Sequence, residues 1–178
     1  MKKEFLSVSD SFYYNLSEDH LAFSDVVMRM KDFIRKDPRS VYVLSIGTDS
    51  QVNQNVTKFM TAIHLHRIGK GAWGCLTQQV ISRPVQSLRE KISLETAFSQ
   101  KVCADILEGP LTELMDLLLP FAEEGADLRF EAHLDIGKKG STKELIQEMT
   151  GMITAMGIEA KIKPDSYAAF CYANRYTK

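Results

Sequence analysis

Four acids in this sequence, Asp49, Glu95, Asp135 and Asp165, stand where a fold would hold them rather than merely expose them. Asp49 follows an almost uncharged run, VYVLSIGT at 41–48. Glu95 interrupts the apolar stripe of a helix, Asp135 closes an alternating strand, and Asp165 follows a proline where the last helix opens. Hard divalent cations prefer oxygen ligands, and Mg²⁺ is usually held by a few carboxylates together with water and substrate phosphate oxygens. Two such ions about 4 Å apart activate a water and stabilise the leaving oxygen of an in-line displacement at phosphorus. Clustered carboxylates without a cation repel one another and raise one another's pKa. If the four converge, they imply bound Mg²⁺ or Mn²⁺, with each acid a candidate metal ligand and catalytic group. Plainer roles stand beside these: a turn for Asp49, an ion-paired rim residue for Glu95, an N-cap for Asp165.

The elements that must position them follow from periodicity. Residues 41–48, rich in β-formers, read as a strand buried on both faces that delivers Asp49 to its end. Residues 58–67 and 72–81, joined by Gly69-Lys70-Gly71, read as the next two strands of an antiparallel meander. Over 87–107 the helical period lines up Leu88, Ile92, Glu95, Ser99, Val102 and Ile106, with Cys103 at the margin. A shorter helix is expected at 111–119, before Pro120. LRFEAHLD at 128–135 alternates, with Arg129, Glu131, His133 and Asp135 on the polar side. Ser141 to Glu144 has a capping-box pattern before a helix carrying Leu145, Met149, Met152, Ile153 and Met156. Residues 158–163 read as an edge strand, and 166–176 as a terminal helix. Ahead of all this, a helix at 24–36 with Ser24 as its N-cap ends at Asp37-Pro38, and the aromatic segment around Phe12, Tyr13 and Tyr14 reads as an arm or a packed extension.

Weaker candidates surround the acids. His64 and His66 share a strand face and could ligate a transition metal, although with no third ligand in view hydrogen-bonded structural histidines explain the spacing better. His133 shares a face with Asp135 and could orient a ligand or move a proton. Arg67, Lys70, Lys138 and Lys139 lie in glycine-bearing loops that could meet phosphates.

At 178 residues the chain is long enough for one domain with a proper core, read as an N-terminal extension at 1–38 and a core at 39–178. A net charge of −1 excludes a global basic field, so RNA, DNA or RNA:DNA hybrid would have to bind through a local patch. Three widely spaced cysteines give neither a disulfide framework nor zinc pairs. With no apolar run of signal-peptide or membrane-span character, a cytoplasmic protein is expected.

GTDSQ at 47–51, HLHRIGKGA at 64–72, HLDIG at 133–137 and KPDSYAA at 163–169 resemble the bacterial ribonuclease H-like YkuK family. The order of elements and acids is similar to the ribonuclease H-like superfamily from about residue 41 onward. That resemblance implies a mixed α/β fold: a five-stranded mixed sheet, strands one to three antiparallel, flanked by helices, with the N-terminal helix added. It also implies an Asp, Glu, Asp, Asp site at Asp49, Glu95, Asp135 and Asp165. The leading functional expectation is a metal-dependent phosphodiesterase acting on nucleic acid or nucleotides by two-metal-ion hydrolysis. The alternative is a non-catalytic nucleic-acid- or protein-binding module on the same fold. An ATP-handling actin-like relative comes last, because the chain is too short for two such domains.

Overall fold

The computed structural model describes residues 11–168. In chain order these form β1 (Tyr13–Tyr14), α1 (Phe23–Arg35), β2 (Val41–Val52), β3 (Thr57–Arg67), β4 (Ala72–Ile81), α2 (Leu88–Leu107), α3 (Pro110–Leu118), β5 (Asp127–His133), α4 (Ile146–Thr154) and β6 (Glu159–Lys161). One six-stranded sheet runs β1-β4-β3-β2-β5-β6. The first four strands in that order pair antiparallel, whereas β2, β5 and β6 are parallel. The fold is therefore the expected mixed α/β arrangement with an antiparallel meander at its centre, but the sheet has six strands and not five. The extra strand comes from the aromatic segment, where Tyr13 and Tyr14 pair with Thr77 and Leu76 of the exposed edge of β4.

Alternation divides the sheet into two faces. Tyr42, Leu44 and Ile46 of β2, Ile63 and Leu65 of β3, Cys75 of β4 and Leu128 and Ala132 of β5 join residues of the four helices in the main core. Tyr13 faces this core, while Tyr14 turns to the opposite side and packs on Met60, Ala62 and Leu76. Burying side chains of this size contributes roughly 1.5–3 kcal/mol each relative to exposure.

Local signals differ from expectation where tertiary packing or a competing hydrogen bond wins. The first long helix is capped by Asp25, whose carboxylate accepts from the Ala22 N–H at 2.9 Å, and not by Ser24, which lies inside it. The capping box at 141–144 does not form. Instead Thr142 Oγ1 bonds the backbone of Gly137 at 3.3 Å, and a short 3₁₀ turn at Lys143–Leu145 leads into α4. The expected helix at 166–176 lies almost wholly outside the described residues, as does Cys171. No described helix is long and apolar enough to cross a membrane.

Candidate functional site

β2 does not stop at Asp49, as the glycine before it suggested, but continues to Val52, with Asp49 paired opposite Met60. What ends near Asp49 is the parallel ladder with β5, whose final pair is Gly47 and His133. β5 stops at His133, two residues short of the expected end, so Asp135 lies in the loop just beyond the strand, where its charge acts on Asp49. Beyond Gly47, this edge of β2 has no described strand beside it, so groups from both faces of the sheet meet around it.

From the core face comes α2. Ser87 opens this helix by accepting from the Glu90 N–H at 3.3 Å, and the buried stripe that follows includes Ile92, Glu95, Ser99, Val102 and Ile106 as the periodicity predicts. Thr48 Oγ1 lies 2.8 Å from Ser99 Oγ and 2.9 Å from Thr61 Oγ1, an unbroken line of buried hydroxyls from α2 to β3. Two residues on, Ser50 donates its hydroxyl to Glu95 Oε1 at 2.6 Å. Thr48 and Ser50 thus both face α2, and alternation turns Asp49 to the other face, shared with His133.

The electrostatics tie these acids together. Burial pushes the Glu95 carboxyl up to about 7; the Ser50 hydroxyl and Lys91 oppose the shift, and the charges of Asp49 and Asp135 add to it. Asp49 is also raised, first by burial and then by Asp135, against the Ser50 N–H, Lys91 and Lys163. Lysines compensate unevenly: Lys163 Nζ lies 2.7 Å from Asp135 Oδ1, and Lys91 Nζ lies 3.9 Å from Glu95 Oε1. Among the described residues Asp49 has no ion pair.

Asp49, Glu95 and Asp135 therefore act on one another, whereas Asp165 stands apart in an exposed turn. Its N–H donates to the Ile162 carbonyl at 2.8 Å, and its charge acts on Lys161. A desolvated, mutually repelling set of oxygen donors suits a hard cation, which would be held by Asp49, Glu95 and Asp135 with the Ser50 hydroxyl nearby. As the side chains stand, no three His, Cys, Asp or Glu groups among the described residues are close enough to share an ion.

Behind Asp135, His133 is buried and its tautomer is fixed. Nδ1 accepts the N–H groups of Tyr167 and Ala168, both at 3.1 Å, so Nε2 carries the proton toward Glu131 Oε2 at 2.9 Å. His133 thereby anchors the segment that follows Asp165. His64 and His66 do share the face of His133, with their rings 6.0 Å apart, and the His64 ring stands edge-on to Tyr167. Arg67 and Lys70 are drawn away to Asp37, at 3.8 and 2.8 Å. At the rise of a strand, Arg67, opposite Tyr42, is about 20 Å along the sheet from Asp49. Lys138 and Lys139 are exposed in the loop that follows Asp135, beyond Ile136 and Gly137.

Three participants escaped the sequence reading. Lys91 precedes Glu95 by one helical turn, and Glu131 precedes His133 on the same strand face, so both spacings were visible. Lys163 carries no such signal, because only the pairing of the chain after β6 with the loop after β5 brings it to Asp135.

The ribonuclease H-like family model matches residues 25–178. An uncharacterized protein, YkuK, of Bacillus subtilis (strain 168) is 69% identical over 172 residues, which cover 96% of this chain and all of the relative. No solved structure matches the chain. The mixed sheet, the order of its elements and these two matches agree: the chain belongs to the ribonuclease H-like family, among the YkuK proteins.

Proposed function

We propose that the chain is a divalent-metal-dependent phosphodiesterase acting on nucleic acid or nucleotides. The observation that carries this reading is Glu95, a carboxylate buried in the face of α2 with its pKa pushed up to about 7 by burial and, to a lesser degree, by the charges of Asp49 and Asp135. Burying an acid at such a cost is explained by a cation that restores its charge. Asp49, Glu95 and Asp135 are the ligands, and Asp165, the fourth acid of the sequence pattern, stays in its exposed turn outside them. Mg²⁺ or Mn²⁺ there supplies an activated water and neutralises charge on the leaving oxygen. Ser50 holds Glu95 in place, and the exposed Lys138 and Lys139 meet the phosphates of RNA, DNA or an RNA:DNA hybrid.

Incubating the protein with Mn²⁺ or Mg²⁺ and end-labelled RNA, DNA and hybrid tests the reading. Cleavage that disappears in Asp49→Asn is expected. Wild type without cleavage, or cleavage that persists in Asp49→Asn, overturns it.

A second reading, a binding module that keeps the fold without the chemistry, draws on the lysines already paired with Asp135 and Glu95. It is favoured by salt-dependent binding without cleavage that survives Glu95→Gln and Asp135→Asn.

A further inference from the structure

The second face of the sheet, which carries Asp49, is buried although the helices pack elsewhere. Val43 and Ser45 of β2, Met60 and Ala62 of β3 and Leu76 of β4 turn this way, and none keeps more than 5% of its surface exposed. Ala62 and Leu76 keep none. The four helices contribute to the core on the opposite face, and the cluster of Met60, Ala62 and Leu76 has only Tyr14 packed against it among the described residues. An antiparallel sheet with one face toward water turns polar side chains to that face. A wholly buried alanine and leucine therefore call for a layer above them.

The chain enters this face at Tyr167 and Ala168. Their N–H groups donate to His133 Nδ1, and His133 pairs with Gly47 of β2. The Tyr167 ring lies 4.6 Å from the His133 ring and 5.8 Å from that of His64, so the chain has stepped from β5 to β3 before residue 169. Ala62 is two residues along β3 from His64, about 7 Å, and Leu76 is its partner one strand further, about 5 Å. Residues 169–178, AFCYANRYTK, reach about 15 Å even as a helix, enough to cross both. Their first five residues are uncharged, and Arg175 and Lys178 come last, matching a face that is buried at its centre and exposed at Gln78 and Val80. The other end of the chain arrives elsewhere: Ser11 accepts from Gln79, which the pairing with Phe59 sets on the opposite face.

We propose that residues 169–178 dock across this face as its missing layer, with the AFCYA stretch over Met60, Ala62 and Leu76. Met60 pairs directly with Asp49, so the docked segment is also the wall beside that acid, and a substrate approaching Asp49 over this face meets it first. The assignment stands independently of the phosphodiesterase reading.

Cys171 lies inside the proposed contact and tests it in the full-length chain, since Cys75 and Cys103 are buried. Gln78→Cys places a thiol at the open border of this face, and Met115→Cys places one on exposed α3, across the sheet. A short bismaleimide is expected to join Cys171 to the first within one chain and not to the second, as peptide mapping reads. In wild type the Cys171 thiol is expected to react with an aromatic disulfide about tenfold more slowly than the thiol introduced by Met115→Cys. Cys171 reacting as fast as that exposed thiol, or failing to link to Gln78→Cys, overturns the docking. A link that forms only between two chains assigns the face to a second copy and overturns it as well.

Discussion

Ser50 of β2 and Glu95 of α2 are joined across the sheet–helix interface by a 2.6 Å hydrogen bond from hydroxyl to carboxylate. This bond favours the ionised form of an acid that burial otherwise neutralises. Ser50→Ala is expected to move the Glu95 carboxyl still further above the ordinary range, read by its carbon chemical shift during a pH titration. At pH 8, where the acid is ionised, the variant loses about 1.5–3 kcal/mol in urea denaturation, the scale of a hydrogen bond to a charged group. An unmoved titration would show that the hydroxyl does not support the charge.

Glu95 also couples stability to pH. Its folded-state pKa, about 7, lies above the value of an unfolded glutamate, so between roughly pH 4.5 and 7 the folded state holds the extra proton. In metal-free protein this contribution is fully present at low pH and is lost as pH rises through 7, a change of about 3 kcal/mol at most. Glu95→Gln removes the dependence. It is expected to be more stable than wild type at pH 8 and to bind Mn²⁺ more weakly, as chemical denaturation and ion titration at two pH values would read. A variant less stable than wild type at pH 8 contradicts the assigned cost.

The Glu131–His133 pair is buried on both sides, with 8% and 1% of the side chains exposed, so neither partner can be rescued by water. His133→Ala leaves the carboxylate unpaired and frees the N–H groups of Tyr167 and Ala168, at an expected cost of about 3–5 kcal/mol. Glu131→Ala removes only one acceptor from a neutral ring and costs less, about 1–3 kcal/mol. The double variant is expected to cost clearly less than the sum. Additive losses would mean that the two side chains act independently.

Acid reveals the histidines. Burial lowers the His64 pKa to about 4 and also depresses that of His133, the latter partly offset by Glu131. The unfolded chain takes up these protons first, so the stability they contribute is present above about pH 6.5 and lost as pH falls toward 4. Because Glu95 works in the opposite sense over the same range, the histidine effect is read as a difference: the change in urea midpoint from pH 7 to pH 5 is expected to be more favourable in His64→Gln than in wild type. Equal slopes in the two proteins would remove His64 from the account.

Much of this arrangement was legible because burial writes itself into local pattern. The interruption of the stripe Leu88, Ile92, Ser99, Val102 and Ile106 by Glu95 is visible from spacing alone, and the structure buries that stripe except for Leu88, which is exposed in the first turn of the helix. The meander was equally plain, since β-rich runs and the Gly69 and Gly71 turn leave few alternatives. Tyr13 and Tyr14 were not legible as a strand. Two residues carry no period, and only the exposed edge of β4 gives them a ladder. The end of β2 was misjudged for a related reason: Gly47 and the polar residues after it look like a stop, but the β3 partner from Thr57 to Met60 keeps the backbone extended through Val52.

The sequence by itself determined the order of the elements, the apolar faces that assemble them and the candidate acids, because each is a matter of neighbours three, four or two residues apart. Tertiary structure decided which acids act together. Parallel pairing with β5 ends at Gly47 and His133, so that the chain carrying Asp135 leaves the sheet near Asp49; α2 lowers Glu95 onto Ser50, and the turn after β6 leaves Asp165 outside while presenting Lys163 instead. Those relations join residues many tens of positions apart, and chain closure over such distances leaves no periodic trace in the local pattern.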